Sequence, residues 1–440
     1  MYYISLGKRA TFAERTNFYF ERCIIMAQKF PFAIWNYNLF GDFKPEEVDV
    51  WAECGLTVTL TERIFYGKDD LTGLIAFLDR AEEKGIMLIA NVIGITNVDI
   101  KELTDEEYEK RFTEIYNLYK GHPALYGFYV GDEPSSKSDY DASARCIRIM
   151  KKVAPELRPY INFQGSSCFH DSAYFDGRSF VEWLYEINAE TGFADFSFSQ
   201  YEQVAGRPGV STPLDAGDMG INYYYKALKP LIETAEAANV NVWGSLLLSA
   251  HYHFRIPTEY DLMWQITTSA ACGCRGMIGF RFYDRTFGPN YHGSPIDEYG
   301  YKTEQFYKLL RCQRRFNDHF GELLMTLKRQ STYMLGKQRG EYPMFGAGTH
   351  NVITGISANE EAVVSFFKAE DGTEYLCLVN GSQVNDGVYK IFWDKENYNL
   401  VEVLCNGTHE IPYGFANTDA HWDGQWLYPG QMSMYRIDKK

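Results

Sequence analysis

The stretch Ala124–Pro134 reads ALYGFYVGDEP, and its reading decides the fold. An uncharged, aromatic-rich run, residues 125–130, ends in two adjacent carboxylates and a proline. Such a run has the texture of a parallel strand buried on both faces. Asp132 and Glu133 then stand where the strand emerges, and Pro134 stops it. Desolvating a carboxylate at such a point is costly, and in an α/β barrel the C-terminal strand ends carry the chemistry. A helix N-cap is the plainer explanation for Asp132, but capping requires one acid, not two.

Outward from this stretch, short apolar runs alternate with amphipathic segments. Strands are predicted at 30–37, 57–60, 86–93, 125–130, 159–163, 194–199, 240–248 and 277–283. Helical patterns fall between them at 45–54, 70–84, 104–120, 139–153, 179–188, 222–238 and 258–272, and a last one at 301–327. That is the count of an α/β fold of the (β/α)8 TIM-barrel type, spanning residues 1–327. Gly85 and Gly121 close helices as C-caps, while Pro45 and Pro257 sit at helix entries. From 328 to 440 the apolar residues alternate at period two between turn signals at 358–360, 370–372 and 380–381. This predicts a smaller C-terminal antiparallel β-sandwich, and without a low-complexity linker the two domains should pack closely.

Composition narrows the function classes. With Lys+Arg 43 against Asp+Glu 58, the net charge of -15 lacks the basic footprint of nucleic-acid binding. No run approaches the roughly 18 apolar residues of a membrane span. The N-terminal MYYISLGKRATFAERTNF lacks the order of a secretory signal, and nine cysteines show no disulfide-scaffold clustering, so a reducing cytoplasm is expected. Asn406-Gly407-Thr408 matches a glycosylation acceptor but carries no meaning in that setting. Aromatic residues make up 16% of the chain, rings that suit ligands with both apolar faces and hydroxyls, as sugars have.

In a barrel the informative residues lie just past each strand's last apolar position. Here those are Trp35, Asn36 and Tyr37; Glu62 and Arg63; Asn91; Asp132 and Glu133; Asn162 and Gln164; Gln200, Tyr201 and Glu202; Ser249, His251 and His253; and Arg281, Tyr283 and Asp284. Hydrogen-bonding groups converging between aromatic walls suit a polyhydroxylated ligand. Trp35, Tyr37, Glu62, Asn91, Gln164, Gln200, Tyr201, His251, Arg281 and Tyr283 are therefore the expected substrate contacts. No P-loop, dinucleotide fingerprint or nucleophile elbow is present, so no cofactor is called for. The His251–His253 and Cys272–Cys274 spacings lack further ligands at metal-binding intervals.

The segment His122-Pro123-Ala124-Leu125-Tyr126-Gly127 followed by Asp132-Glu133-Pro134 resembles glycoside hydrolases of the large barrel clan. That clan carries its general acid/base in an Asn-Glu-Pro motif at the end of strand four. The resemblance implies a sugar-cleaving enzyme acting on an oligosaccharide or glycoside, with Glu133 as the acid/base and Asp132 in place of the usual Asn. Since neighbouring residues of an extended strand point to opposite faces, Asp132 is expected to modulate Glu133 and raise its pKa. One departure concerns strand seven, where the clan's nucleophilic Glu would stand. This chain reads NVWGSLLLSAHYHF there, without an acid. A second carboxylate must lie about 5 Å away for a retaining mechanism, or about 6.5–9.5 Å for an inverting one. Glu202 and Asp284 are the candidates, with Glu62 behind them. The rival expectation is a barrel that binds carbohydrate without cleaving it.

Overall fold

The computed structural model describes residues 29–39, 41–206, 217–284, 291–405, 409–410 and 424–440. The N-terminal segment and Asn406–Thr408 lie outside them. Eight short parallel strands form the first sheet: β1 (Phe32–Ile34), β2 (Val58–Leu60), β3 (Met87–Ala90), β4 (Leu125–Asp132), β5 (Arg158–Gln164), β6 (Asp195–Ser199), β7 (Asn241–Leu247) and β8 (Met277–Phe280). They hydrogen-bond in the order β1-β8-β7-β6-β5-β4-β3-β2, which leaves one seam, between β1 and β2. Threonine side chains bridge it. Thr57 N–H donates to Phe32 O at 3.0 Å, and Phe32 and Ile34 N–H donate to Thr57 Oγ1 at 2.9 Å and Thr59 Oγ1 at 3.1 Å. The barrel is thereby closed with hydroxyl acceptors where a regular ladder is missing.

Between and after the strands run α1 (Glu47–Cys54), α2 (Leu74–Lys84), α3 (Asp105–Tyr119), α4 (Lys137–Val153), α5 (Phe180–Thr191), α6 (Gly217–Ala238), α7 (Glu259–Cys272) and α8 (Glu304–Phe316). The expected helix at 301–327 is broken: a π-type turn, Asn317–Gly321, separates α8 from a short helix, Glu322–Thr326. Gly321 permits this, because a Cβ there would lie 2.2 Å from Asn317 Oδ1. The inside of the barrel is filled by Ala33, Trp35, Leu60, Ile89, Tyr160, Trp243 and Ile278. It is a packed core, so chemistry is confined to the rim.

The C-terminal part is antiparallel. β9 (Lys328–Leu335), β10 (Ile353–Ala358), β11 (Ala362–Lys368), β12 (Glu374–Asn380), β13 (Gly387–Trp393), β14 (Tyr398–Val403), β15 (His409–Glu410), β16 (Gln425–Leu427) and β17 (Met432–Lys439) make two sheets. One is β9-β11-β12-β17-β14-β15 and the other β10-β13-β16. Val364, Phe366, Leu378 and Tyr435 of the larger sheet meet Ile353, Tyr389, Ile391 and Leu427 of the smaller in one core. Helix α7 joins the domains and is buried on every side from Asp261 to Cys272. Its Trp264 Nε1 donates to Gly381 O, and its Thr267 Oγ1 donates to Gly430 O, both at 2.7 Å. That explains why α7 lacks the polar stripe of a surface helix. Among the described residues, no helix is long and apolar enough to cross a membrane.

Candidate active site

The end of β4 departs from regular pairing, and the departure shapes the site. Along β5 the register runs Tyr129↔Tyr160, then skips Val130 to give Gly131↔Ile161 and Asp132↔Asn162. This bulge turns the strand end and re-aims its side chains. Gly131 allows it: a Cβ there would lie 2.4 Å from Asn97 Oδ1. Glu133 adopts φ 46, the left-handed region, which for a non-glycine costs on the order of 1 kcal/mol. Its N–H donates to Asn162 O at 2.8 Å, which holds the turn. Strand alternation therefore stops at Asp132, and the opposite-face rule of an extended strand does not apply to Glu133. Both carboxylates are solvent-exposed at the mouth, and the charges of both act on Tyr37 and Tyr201.

Asn162 also sets the environment of Asp132. Its Nδ2 donates to Asp132 Oδ1 at 2.8 Å and to Ser199 Oγ at 2.9 Å, while its Oδ1 accepts from Ser197 Oγ at 2.7 Å. Ser197 Oγ in turn accepts from Tyr160 OH at 2.6 Å. Two serines of β6, one of them backed by Tyr160 of β5, thus fix the amide that donates to Asp132. Asp132 touches solvent through the open mouth but is enclosed laterally by protein. That enclosure pushes its pKa up to about 6, with the neighbouring Glu133 charge adding to the rise. The Asn162 hydrogen bond, Arg63 and the Tyr37 hydroxyl oppose it. The net rise brings its titration to within about one unit of neutral pH.

Aromatic rings wall the mouth. Tyr37 stacks on Trp35 at 5.9 Å and meets Phe280 edge-on, and Trp35 is in turn capped by Tyr129. Trp35 is only 4% exposed, so it supports Tyr37 from beneath and offers no open face. On the far wall Tyr201 stacks on Phe280 at 5.7 Å, and His251 packs against Phe280 and Tyr291. Burial pushes His251 down to about 4, with the charges of His253 and Arg281 adding to the fall, so the ring is neutral at pH 7. Arg63 and Arg281 place their guanidinium carbons 4.8 and 5.3 Å from the Tyr37 ring.

Other expected site residues are distributed differently. Glu202 opens a one-turn helix after β6, half-exposed, with His253 Nε2 3.3 Å from its carboxylate. Asp284 spends both oxygens on the loop beyond β8, accepting from Gly293 N at 3.2 Å and Ser294 N at 2.9 Å. Gln164 is half-buried and accepts from Ser166, whereas Gln200 and Asn91 are buried. The Asn91 Oδ1 lacks a hydrogen-bond partner among the described residues. Glu62 and Tyr283, expected as substrate contacts, are out of reach. Glu62 is 0% exposed, its carboxylate oxygens unpartnered among the described residues. Burial raises it to about 7, with Glu47 and Asp42 contributing. Tyr283 points into the helix layer, donating to Glu47 Oε1 at 2.9 Å and accepting from Trp51 Nε1 at 2.5 Å. Sequence reading missed Tyr129, Ser197 and Tyr291. Tyr129 lies inside an apolar run whose texture does not distinguish the residues that face the mouth, and Tyr291 lies in a loop beyond β8.

No protein-family model matches the chain, and no curated protein matches it in sequence. Among solved structures, one glycoside hydrolase superposes with a TM-score of 0.53 at 11% identity, covering 93% of this chain and 92% of that one. A family 39 glycoside hydrolase from the gut symbiont Bacteroides cellulosilyticus WH2 gives a TM-score of 0.51 at 11% identity, over 94% of this chain and 82% of the other. Both likenesses extend over barrel and β domain together, so the (β/α)8 barrel with its C-terminal antiparallel domain is a fold these glycosidases share.

Proposed function

We propose that the protein is a glycoside hydrolase acting at the C-terminal mouth of its barrel. The observation that supports this best is the Asp132–Glu133 pair: two carboxyl groups on one wall, held by Asn162 and faced by aromatic rings. In this reading Glu133 protonates the glycosidic oxygen. Asp132, whose pKa burial pushes up to about 6, places a second proton-carrying group beside Glu133. Glu202, half-exposed beside His253, is the preferred second carboxylate, because the oxygens of Asp284 are engaged by backbone amides. It would act as nucleophile or activate water.

A second reading is a barrel that binds sugars without cleaving them. It draws on β7, whose end runs through Leu247, Leu248 and Ser249 to His251 with no acid. A panel of aryl glycosides and oligosaccharides, tested on wild type and Glu133→Gln, separates the two. Hydrolysis by the wild type, reduced about 100- to 10,000-fold in the variant, supports the enzyme. Sugar binding without turnover in either protein supports the binder.

A further inference from the structure

Arg63 stands out among the charged groups of the mouth. Its guanidinium lies over the Tyr37 ring and its charge acts on Asp132, yet its side chain forms no hydrogen bond or ion pair with any described residue. Backbone geometry holds the residue in place, since Arg63 N–H donates to Asn38 O at 2.9 Å and Ile64 N–H to Asn91 O at 3.0 Å. A half-buried guanidinium has lost part of its hydration, and its planar fork of donors matches an oxyanion. Asp132 does not supply that oxyanion: one of its oxygens is held by Asn162, and no Arg63 nitrogen approaches it within ion-pair distance.

A second fixed cation faces the same ring. Arg281 is 3% exposed, its Nε donates to Tyr283 O at 2.9 Å, and its guanidinium carbon lies 4.7 Å from Tyr291 as well as near Tyr37. The mouth thus gathers two guanidinium groups around one tyrosine in a chain of net charge -15. These two cations offset the carboxylates of Asp132 and Glu133, whose charges act on the same tyrosine, so the mouth can receive an anionic group.

We propose that Arg63 is a specificity residue that receives an oxyanion carried by the sugar ligand, the carboxylate of a uronic acid or a sulfate ester, with Arg281 supporting it across Tyr37. The inference rests on the sugar-binding reading of the mouth. Its test is therefore made by binding, with matched ligands. Methyl glycosides of glucose, galactose and mannose, their uronic acid counterparts and their 6-sulfates are titrated calorimetrically into the full chain, wild type, Arg63→Gln and Arg63→Lys. A charge-assisted pair to a fixed guanidinium predicts that an anionic member binds about 10- to 100-fold tighter than its neutral counterpart. In Arg63→Gln that ratio falls to near one while the neutral affinity holds. Arg63→Lys retains part of it, and an unchanged melting temperature verifies the fold of both variants. Preference for uronates points to a planar carboxylate, and preference for 6-sulfates to the ester; either supports the inference. Neutral sugars binding as well as anionic ones, or an anionic preference that survives in Arg63→Gln, overturns it and leaves the sugar site standing. If none of the ligands binds, the sugar-binding reading falls, and the inference with it.

Discussion

Two carboxylic acids at the same end of the barrel are perturbed in the same direction but stand in different surroundings. Asp132, at the end of β4, is raised to about 6; Glu62, just past β2, is raised to about 7. Burial leads the causes in both. The difference is access and partnership: Asp132 opens to solvent and accepts from the fixed Asn162 amide, whereas Glu62 is sealed with both oxygens unpartnered among the described residues. A shifted pKa thus marks a working group only where a ligand can reach it. At Glu62 it marks a cost of folding.

The largest effect that can break this comparison is on turnover. Asp132→Asn is expected to lower kcat/KM for a cleaved glycoside by about 100-fold or more, while Glu62→Gln leaves it within about threefold. Equal losses would make Glu62 part of the machinery. Next is the pH profile. The Asn162 side-chain hydrogen bond lowers the Asp132 pKa, so Asn162→Ala should move the limb that reports Asp132 to higher pH, by roughly one unit. A pH–rate series, or carbon NMR of the labelled carboxyl, reads the shift directly.

Stability separates the two acids in the opposite sense. A carboxyl whose folded-state pKa is raised costs nothing below its unfolded value, near 4.3 for a Glu, and its full penalty above its folded value. The Glu62 contribution to wild-type stability should therefore fall as pH rises from about 4 to about 7. Glu62→Gln should relieve that loss, gaining on the order of 1–3 kcal/mol at pH 8 and nothing at pH 4. Urea unfolding at the two pH values measures it. Asp132→Asn carries the same sign, but solvent at the mouth makes its gain smaller. The smallest effect concerns the seam beside β2, where Thr59→Val removes the acceptor for Ile34 N–H and should cost about 1 kcal/mol.

Much of this was legible in the chain. Eight apolar runs between amphipathic segments specify a barrel because each strand is buried on both faces, and the polar residue after each run marks the rim. The β4 motif stood out because two acids follow six residues without charge. What escaped was local backbone geometry. Alternation from Tyr129 through Glu133 fails at a bulge and a left-handed residue, neither of which has a periodic signature. Glu62 and Tyr283 were misjudged because a strand end can turn its side chain toward the helices as readily as toward the mouth. Only packing against α1 decides that. The break after Phe316 was hidden for a similar reason, since Gly321 reads as a tolerated helix interior until its closeness to Asn317 is seen.

The central claim is that the β4 pair donates the proton to a departing sugar, and the dependence on leaving group tests it most directly. Aryl glycosides whose phenols range from strongly to weakly acidic would be compared in wild type and Glu133→Gln. The account predicts that the variant loses turnover steeply as the phenol becomes less acidic, and least on dinitrophenyl glycosides, which leave without a proton. A Glu133→Gln protein that cleaves every member of the series as the wild type does would contradict it.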